Sequence, residues 1–430
     1  MGLNMKSPQL KFFLALLVSV TSLAQPSAKT QQLPKPSGRR GVSRIAYFWT
    51  DHSRVDALSN VAGSPRELVV YVWYPTDRDE KGTTAPYLPG SNEIANSPSG
   101  KQMEKFWGKL WPDVLHGRIT SNTLGEVPIA PGKKPFPLLI FSPGLGTPST
   151  SYTSLIEEVV SRGYVVASIE PTYEVPAIVF PDGRVLPFKP EATGRGLPGP
   201  PGETRNEFLK RMHVSDAPHL DRWAADIRFA LDQITALSKA SDHACPFAGR
   251  VDLKHVGTWG HSFGGQAALR ACQLDSRFKA CLNADGLGPD GPVFQYEGSK
   301  LPEQPFMWME VFHQPPTDAQ LAPYKMTTKD WEKNHLVQVE KNRQELQGSP
   351  NGSFHVVIDL PGIQHFSFTD KPFLDASTTE KTKDAATALR TIANYTVAYF
   401  DSILRNRKTH LRDLEQSQHT GITLEVFVSN

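Results

Sequence analysis

Cysteine is scarce: the 430 residues hold three, Cys245, Cys272 and Cys281. That excludes a disulfide-framed scaffold, and none of the three sits in a metal-binding or catalytic motif. Their odd number leaves at least one thiol outside any internal pair. An excess of charge of one sign is also missing. With 46 basic and 44 acidic residues the formal net charge is +2, and no block of like charge occurs, which gives no footprint for nucleic acid. No internal repeat is present, and beyond residue 24 no apolar run reaches the roughly 20 residues needed to span a bilayer. What remains is 39% hydrophobic and 21% charged, enough apolar material for a sizeable core.

The N-terminus has its own pattern. Lys6 and Lys11 precede an apolar run over residues 12–20, and Ser22-Leu23-Ala24 places small residues at positions −3 and −1 of a cleavage site. Residues 1–24 are read as a signal peptide, which implies a secreted or periplasmic protein. Residues 25–41 are Pro, Ser, Lys and Gln with almost no apolar content, and are expected to form a disordered linker. A single folded domain is expected over 42–407, followed by a tail over 408–430 with no informative pattern.

Within that domain, strand-like and helix-like stretches alternate. Residues 66–75 are β-branched and aromatic and stop at proline. Met103, Phe106, Trp107, Leu110 and Trp111 recur at helical spacing; this face is expected to pack on the core, with peripheral membrane contact as the competing role for its tryptophans. Phe136-Pro137-Leu138-Leu139-Ile140-Phe141-Ser142 and Tyr164-Val165-Val166-Ala167-Ser168-Ile169 are continuous apolar runs, as in strands buried on both faces, with a helix between them over 152–162. Such order indicates parallel strands joined by right-handed crossovers. Residues 171–215 break the pattern with a Pro181-Asp182-Gly183 turn and a Gly/Pro-rich run, an irregular excursion placed where a lid would lie. A helix over 220–238, strands over 255–259, 278–284, 306–312 and 354–358, and a helix over 384–404 complete the domain. The class is α/β: a mostly parallel central sheet flanked by helices, with a lid-like insertion.

The chemistry centres on Gly260-His261-Ser262-Phe263-Gly264-Gly265, set between strand-like His255-Val256-Gly257-Thr258-Trp259 and helix-like Gln266-Ala267-Ala268-Leu269-Arg270-Ala271. Strand, sharp turn and helix are what a nucleophile elbow requires, so Ser262 is the candidate nucleophile. Cys272 on that helix and Cys281 on the next strand could form a disulfide or could be two buried small side chains.

A serine hydroxyl needs a base, held in one tautomer by an acid, and in α/β-hydrolases the order is Ser, acid, His. Of the downstream histidines, His335 falls on a polar helix-like stretch, His355 inside a strand, and His410 and His419 in the tail. His365 lies in the loop after the last strand and is the preferred base, with His313 the runner-up. Asp285, Glu310 and Asp318 all lie at or beyond the carboxyl ends of strands, and position leaves the acid open among them. Two N–H donors must hold a tetrahedral oxyanion. Phe263 supplies one and the Ser142-Pro143-Gly144-Leu145-Gly146 loop the other, with Leu145 N–H between two glycines.

These motifs, with Asp285-Gly286 and Gln364-His365-Phe366-Ser367-Phe368-Thr369-Asp370, resemble the platelet-activating factor acetylhydrolase family of plasma and intracellular type II enzymes and their bacterial relatives. The resemblance runs over residues 66–404. It implies an α/β-hydrolase fold, favours Asp285 as the acid and places His365, Leu145 and Phe263 at the family's base and oxyanion donors. It also implies calcium-independent release of short or oxidised sn-2 acyl groups from phospholipids, with no metal or cofactor. Pro143 departs from the animal enzymes, which carry histidine before Gly-Leu-Gly; that bears on substrate contacts rather than on backbone donors.

The expectation is a secreted serine esterase acting on a small-molecule or lipid ester. The alternatives are a polyester or cutinase-like hydrolase, which takes its acid one strand later, a general carboxylesterase, and an inactive binding protein that kept the fold.

Overall fold

The structure, a computed structural model, describes residues 30–189, 200, 203–239, 245–286, 301–407, 411 and 421–427. Residues 1–24, where a signal peptide is expected, most of the Gly/Pro-rich run, and His410 and His419 lie outside the described residues.

One ten-stranded sheet forms the centre. In chain order its strands are β1 (Gly41–Val55), β2 (Pro65–Thr76), β3 (Thr123–Leu124), β4 (Phe136–Ser142), β5 (Val165–Glu170), β6 (Val251–His261), β7 (Phe278–Ala284), β8 (Phe306–Val311), β9 (Ser353–Ile358) and β10 (Ile422–Phe427). Their spatial order is β10-β9-β8-β7-β6-β4-β5-β2-β1-β3. The run from β9 to β5 is parallel throughout; β10, β2 and β1 pair antiparallel with their inner neighbours. This is the mostly parallel, helix-flanked sheet of an α/β-hydrolase.

The four principal flanking helices are α1 (Thr153–Ser161), α2 (Arg205–Lys239), α3 (Phe263–Leu274) and α4 (Thr379–Leu404). Period-2 alternation in the strands assigns side chains to two cores. Leu138 and Ile140 of β4 join Trp223, Ile227, Leu231 and Leu269 of α2 and α3. Leu139 and Phe141 turn the other way, onto Ile156 and Val159 of α1 and Ile392, Tyr399 and Phe400 of α4. Strands covered on both faces must be apolar throughout, and all seven residues of β4 are buried.

Three expectations are corrected. Residues 30–41 are not a free linker. Gln31 and Gln32 pair with Ile119 and Thr120, Leu33 is buried, and Ser37 and Gly38 donate backbone N–H groups to Glu158 and to the Ser161 hydroxyl. Apolar content could not reveal this, because polar and backbone groups hold most of the segment. Likewise the excursion is less irregular than expected: Ala177–Val179 and Val185–Pro187 form a hairpin over the Pro181-Asp182-Gly183 turn, and α2 begins at Arg205. Thr204 and Glu207 exchange the reciprocal hydrogen bonds of a capping box, and the helix continues through Pro218. Finally, the tail contributes edge strand β10.

Residues 101–111 are not one helix, since the chain breaks at Gly108 (φ 56) between Gly100–Trp107 and Trp111–Leu115, but their apolar side chains pack inward as expected: Met103, Trp107, Leu110 and Trp111 are buried with Tyr87, Ile94 and Leu374. Those tryptophans are core residues, which removes them as membrane contacts. Cys272 and Cys281 form a disulfide tying α3 to β7, and Cys245 is a buried free thiol. No helix among the described residues is long and apolar enough to cross a membrane.

Candidate active site

The elbow comes from a tight backbone crossing. Ser262, between β6 and α3, has φ 55 and ψ −128, a strained conformation for a non-glycine residue that costs roughly 1–3 kcal/mol. Close packing holds it there. A Cβ on Gly260 would lie 2.2 Å from the Gly264 carbonyl oxygen, and one on Gly264 would lie 2.2 Å from the carbonyl oxygens of Ser142 and Pro143. Only glycine permits this approach, which brings the elbow against the Ser142–Gly146 loop.

The expected base and acid converge on this turn. Ser262 Oγ lies 3.1 Å from His365 Nε2, and His365 Nδ1 lies 2.5 Å from Asp285 Oδ2. Asp285 follows β7 in a left-handed conformation, φ 53, and its buried carboxyl also accepts from Val311 N–H at 3.1 Å. His365 opens a short helical turn, His365–Phe368, after β9. Burial alone would raise the Asp285 pKa, but hydrogen bonds from His313 and His365 overcome it and hold the carboxyl well below the usual range. The Asp285 carboxyl is therefore ionised beside His365 near neutral pH.

The other candidates are occupied elsewhere. Glu310 Oε1 meets His355 Nε2 at 2.9 Å, and the His355 ring stacks on Trp308. Asp318 caps Thr328 N–H, and His335 stacks on Trp331. His313 does reach the site, but from behind: its Nε2 lies 3.0 Å from Asp285 Oδ1. The two histidines preferred as bases thus share one carboxylate, and only His365 is bonded to the serine.

His313 allows a pH test. The hydrogen bond to Asp285 raises its pKa above the ordinary value of 6.5. A raised histidine pKa contributes stability that is complete below the unfolded value and lost as pH rises through the folded one. Parent protein should therefore melt above His313→Asn by a margin larger at pH 5.5 than at pH 9. A margin independent of pH would show that the Asp285 contact carries no charge.

In the oxyanion loop, Gly144 N–H donates to Tyr152 Oη at 2.9 Å and Gly146 N–H to the Glu174 carbonyl at 2.9 Å. Leu145 N–H, between them, has no partner among the described residues. Phe263 begins α3 beside the serine, where helix-terminal N–H groups favour negative charge.

Two features are easily misassigned. His261, Asp285 and His365 have the spacing of a metal cluster, yet both His261 nitrogens and both Asp285 oxygens are already engaged in hydrogen bonds within the protein. A cleft of about 1360 Å³ lies at the amino ends of the strands, away from the elbow, and is rich in arginine. Arg405 there donates to the carbonyls of Arg162 and Gly163, just past the end of α1, and Arg162 pairs with Glu158. Those cations serve helix ends.

The elbow, the parallel sheet and the loops gathered at its carboxyl edge define an α/β-hydrolase. Comparison with known proteins narrows this further. A sequence model of the family described as "Platelet-activating factor acetylhydrolase, isoform II" matches residues 29–178. A probable 1-alkyl-2-acetylglycerophosphocholine esterase of Arthroderma benhamiae is 26% identical over 77% of this chain and 77% of its own length. A platelet-activating factor acetylhydrolase of Cavia porcellus is 25% identical over 70% of this chain and 65% of its own. Among solved structures, a ferulic acid esterase from Streptomyces cinnamoneus aligns with TM-score 0.59 at 26% identity, over 92% of this chain and 99% of that one. The chain is a carboxylic ester hydrolase similar, at low identity, to the platelet-activating factor acetylhydrolases, as its motifs suggested.

Proposed function

We propose that the protein is an exported serine esterase that removes acetyl or other short acyl groups, those at the sn-2 position of phospholipids foremost. The observation that carries this is the hydrogen-bonded line from Ser262 Oγ through His365 to Asp285, at 3.1 and 2.5 Å. In this reading His365 Nε2 takes the Ser262 proton as Oγ attacks the ester carbonyl, and Asp285 stabilises the imidazolium. The N–H groups of Leu145 and Phe263 hold the oxyanion. Its collapse expels the alcohol, which takes the proton from His365. Water, deprotonated by the same histidine, then releases the acid. Names of the sequence relatives favour an acetylated glycerophospholipid, and the pattern over residues 1–24 favours export.

The ferulic acid esterase likeness, which covers nearly all of that enzyme, supports a second reading: a general carboxylesterase whose acyl group is aromatic. One panel separates the two. Hydrolysis of sn-2 acetyl, butyryl and palmitoyl glycerophosphocholines, a short p-nitrophenyl ester and methyl ferulate would be compared by kcat/KM. The phospholipid reading expects the acetyl glycerophosphocholine to lead and activity to fall with chain length. A preference for methyl ferulate overturns it.

A further inference from the structure

His261 and Tyr152 are buried polar residues that contact both halves of the site, although neither bonds to Ser262 Oγ. Tyr152 Oη lies 2.9 Å from Gly144 N and 2.8 Å from His261 Nδ1, and His261 Nε2 lies 2.9 Å from the His365 carbonyl oxygen. The direction of every bond in this line follows from donor chemistry. A backbone N–H only donates, so Tyr152 Oη accepts from Gly144. A carbonyl only accepts, so His261 Nε2 carries a hydrogen. Burial, and then the nearby His365, push the His261 pKa down to about 3, so the ring is neutral and Nδ1 is bare. The Tyr152 hydroxyl hydrogen therefore points to Nδ1. The line reads Gly144 N–H to Tyr152 O–H to His261 to the His365 carbonyl, with each donor and acceptor used once.

We infer that Tyr152 and His261 are a single positioning unit that sets the oxyanion loop and the base loop at a fixed separation across the elbow. This rests on the serine-esterase reading above. One end of the line is next to Leu145, whose N–H has no partner among the described residues; the other end is the backbone of the base itself. Packing supports the same role. The His261 ring stacks on Phe368 at 4.9 Å and lies 4.5 Å from the His365 ring, and Tyr152 packs edge-on against Phe141 at 4.9 Å. The segment bearing Tyr152 also receives the far end of the base loop. Asp370 N–H donates to the Ser151 carbonyl at 2.7 Å, and the Asp370 carboxyl accepts from Thr153 and Ser154 N–H at 3.1 and 2.9 Å. Asp370 anchors that loop at one end and His261 anchors it at the catalytic end. Misplacing a reacting group by a fraction of an ångström costs rate without changing what binds.

The test compares Tyr152→Phe, His261→Ala, His261→Gln and Tyr152→Phe/His261→Ala with the parent and with Ser262→Ala, on a short p-nitrophenyl ester. Tyr152→Phe keeps the ring and removes one hydroxyl, so it tests the line even if a His261 variant fails to fold. Tyr152→Phe and His261→Ala should each lower kcat by about ten- to a hundredfold while KM stays within about threefold. His261→Gln, whose amide can still donate to the His365 carbonyl, should regain most of the loss. The double variant should be no slower than the slower single one, because a broken line cannot be broken twice. Parent-like kcat in Tyr152→Phe, independent losses that multiply in the double variant, or no recovery in His261→Gln would overturn the inference. If Ser262→Ala keeps parental activity, the site reading itself fails; if it is inactive while Tyr152→Phe is parent-like, only the positioning unit fails.

Discussion

Ser262→Ala should lower turnover of a short p-nitrophenyl ester by at least about a thousandfold while leaving the melting temperature near that of the parent. The chemical part of this expectation follows from the geometry. Among the described residues only Ser262 Oγ is bonded to His365 Nε2, so without it the histidine has no hydroxyl to deprotonate and no acyl-enzyme can form. Residual hydrolysis would come from water held near the oxyanion donors, which cannot match a positioned nucleophile. The structural part follows from where the strain lies. The φ of 55 is a backbone property imposed by Gly260 and Gly264 packing against neighbouring carbonyls, and alanine meets the same restriction as serine. Steady-state rates, circular dichroism and covalent labelling by a fluorophosphonate decide the matter together. Labelling of the parent but not of Ser262→Ala is expected. More than a few per cent of parental turnover in a folded Ser262→Ala, or equal labelling of both, would remove Ser262 from the mechanism and favour the inactive-fold alternative.

Much of this site was legible because its parts lie where local rules speak clearly. An elbow is one contiguous turn whose glycines are forced by backbone crowding, and β4 and β5 reveal themselves as unbroken apolar runs because both faces are covered. Disulfide formation between Cys272 and Cys281 stayed open, since adjacency of α3 and β7 suggests proximity but not Cβ direction. The acid was open for a similar reason. Asp285 and Asp318 follow strands and Glu310 lies at the end of one, and which of them faces His365 depends on long-range packing that strand ends alone do not state. Sequence offers His313 only as a base; its contact with Asp285 spans 28 positions of sequence and has no local signature. Two omissions did have signals. Thr204 and Glu207 have the spacing of a capping box ahead of a long helix. Ile422-Thr423-Leu424-Glu425-Val426-Phe427 alternates as an edge strand should. His261 and Tyr152, by contrast, are 109 residues apart and meet only because the elbow is pressed onto the Ser142–Gly146 loop.

Asp285→Asn should reduce kcat by about a thousand- to ten-thousandfold, whereas Glu310→Gln should stay within about threefold of the parent. Asparagine would preserve the shape of the pocket. Its carbonyl or its amide could still face His365 Nδ1, but no charge would remain to stabilise the imidazolium, and an amide donor would drive the ring into the wrong tautomer. The carboxylate is well suited to this work because Val311 N–H, His313 and His365 all donate to it, keeping it ionised despite burial. Glu310 has a different neighbourhood. Its partner is His355, which is stacked on Trp308 and faces Glu425 of the edge strand at 3.5 Å. Removing the Glu310 charge should therefore loosen the β8–β9–β10 edge slightly and leave the elbow untouched. Measured kcat in the two variants, each checked for cooperative unfolding, separates the arrangements. A large loss confined to Glu310→Gln would place the acid one strand later, as in a cutinase-like hydrolase. Large losses in both would mean that the sheet edge and the elbow are coupled through β8, whose Met309 carbonyl receives Asp285 N–H at 2.6 Å and whose Val311 N–H donates to the Asp285 carboxylate.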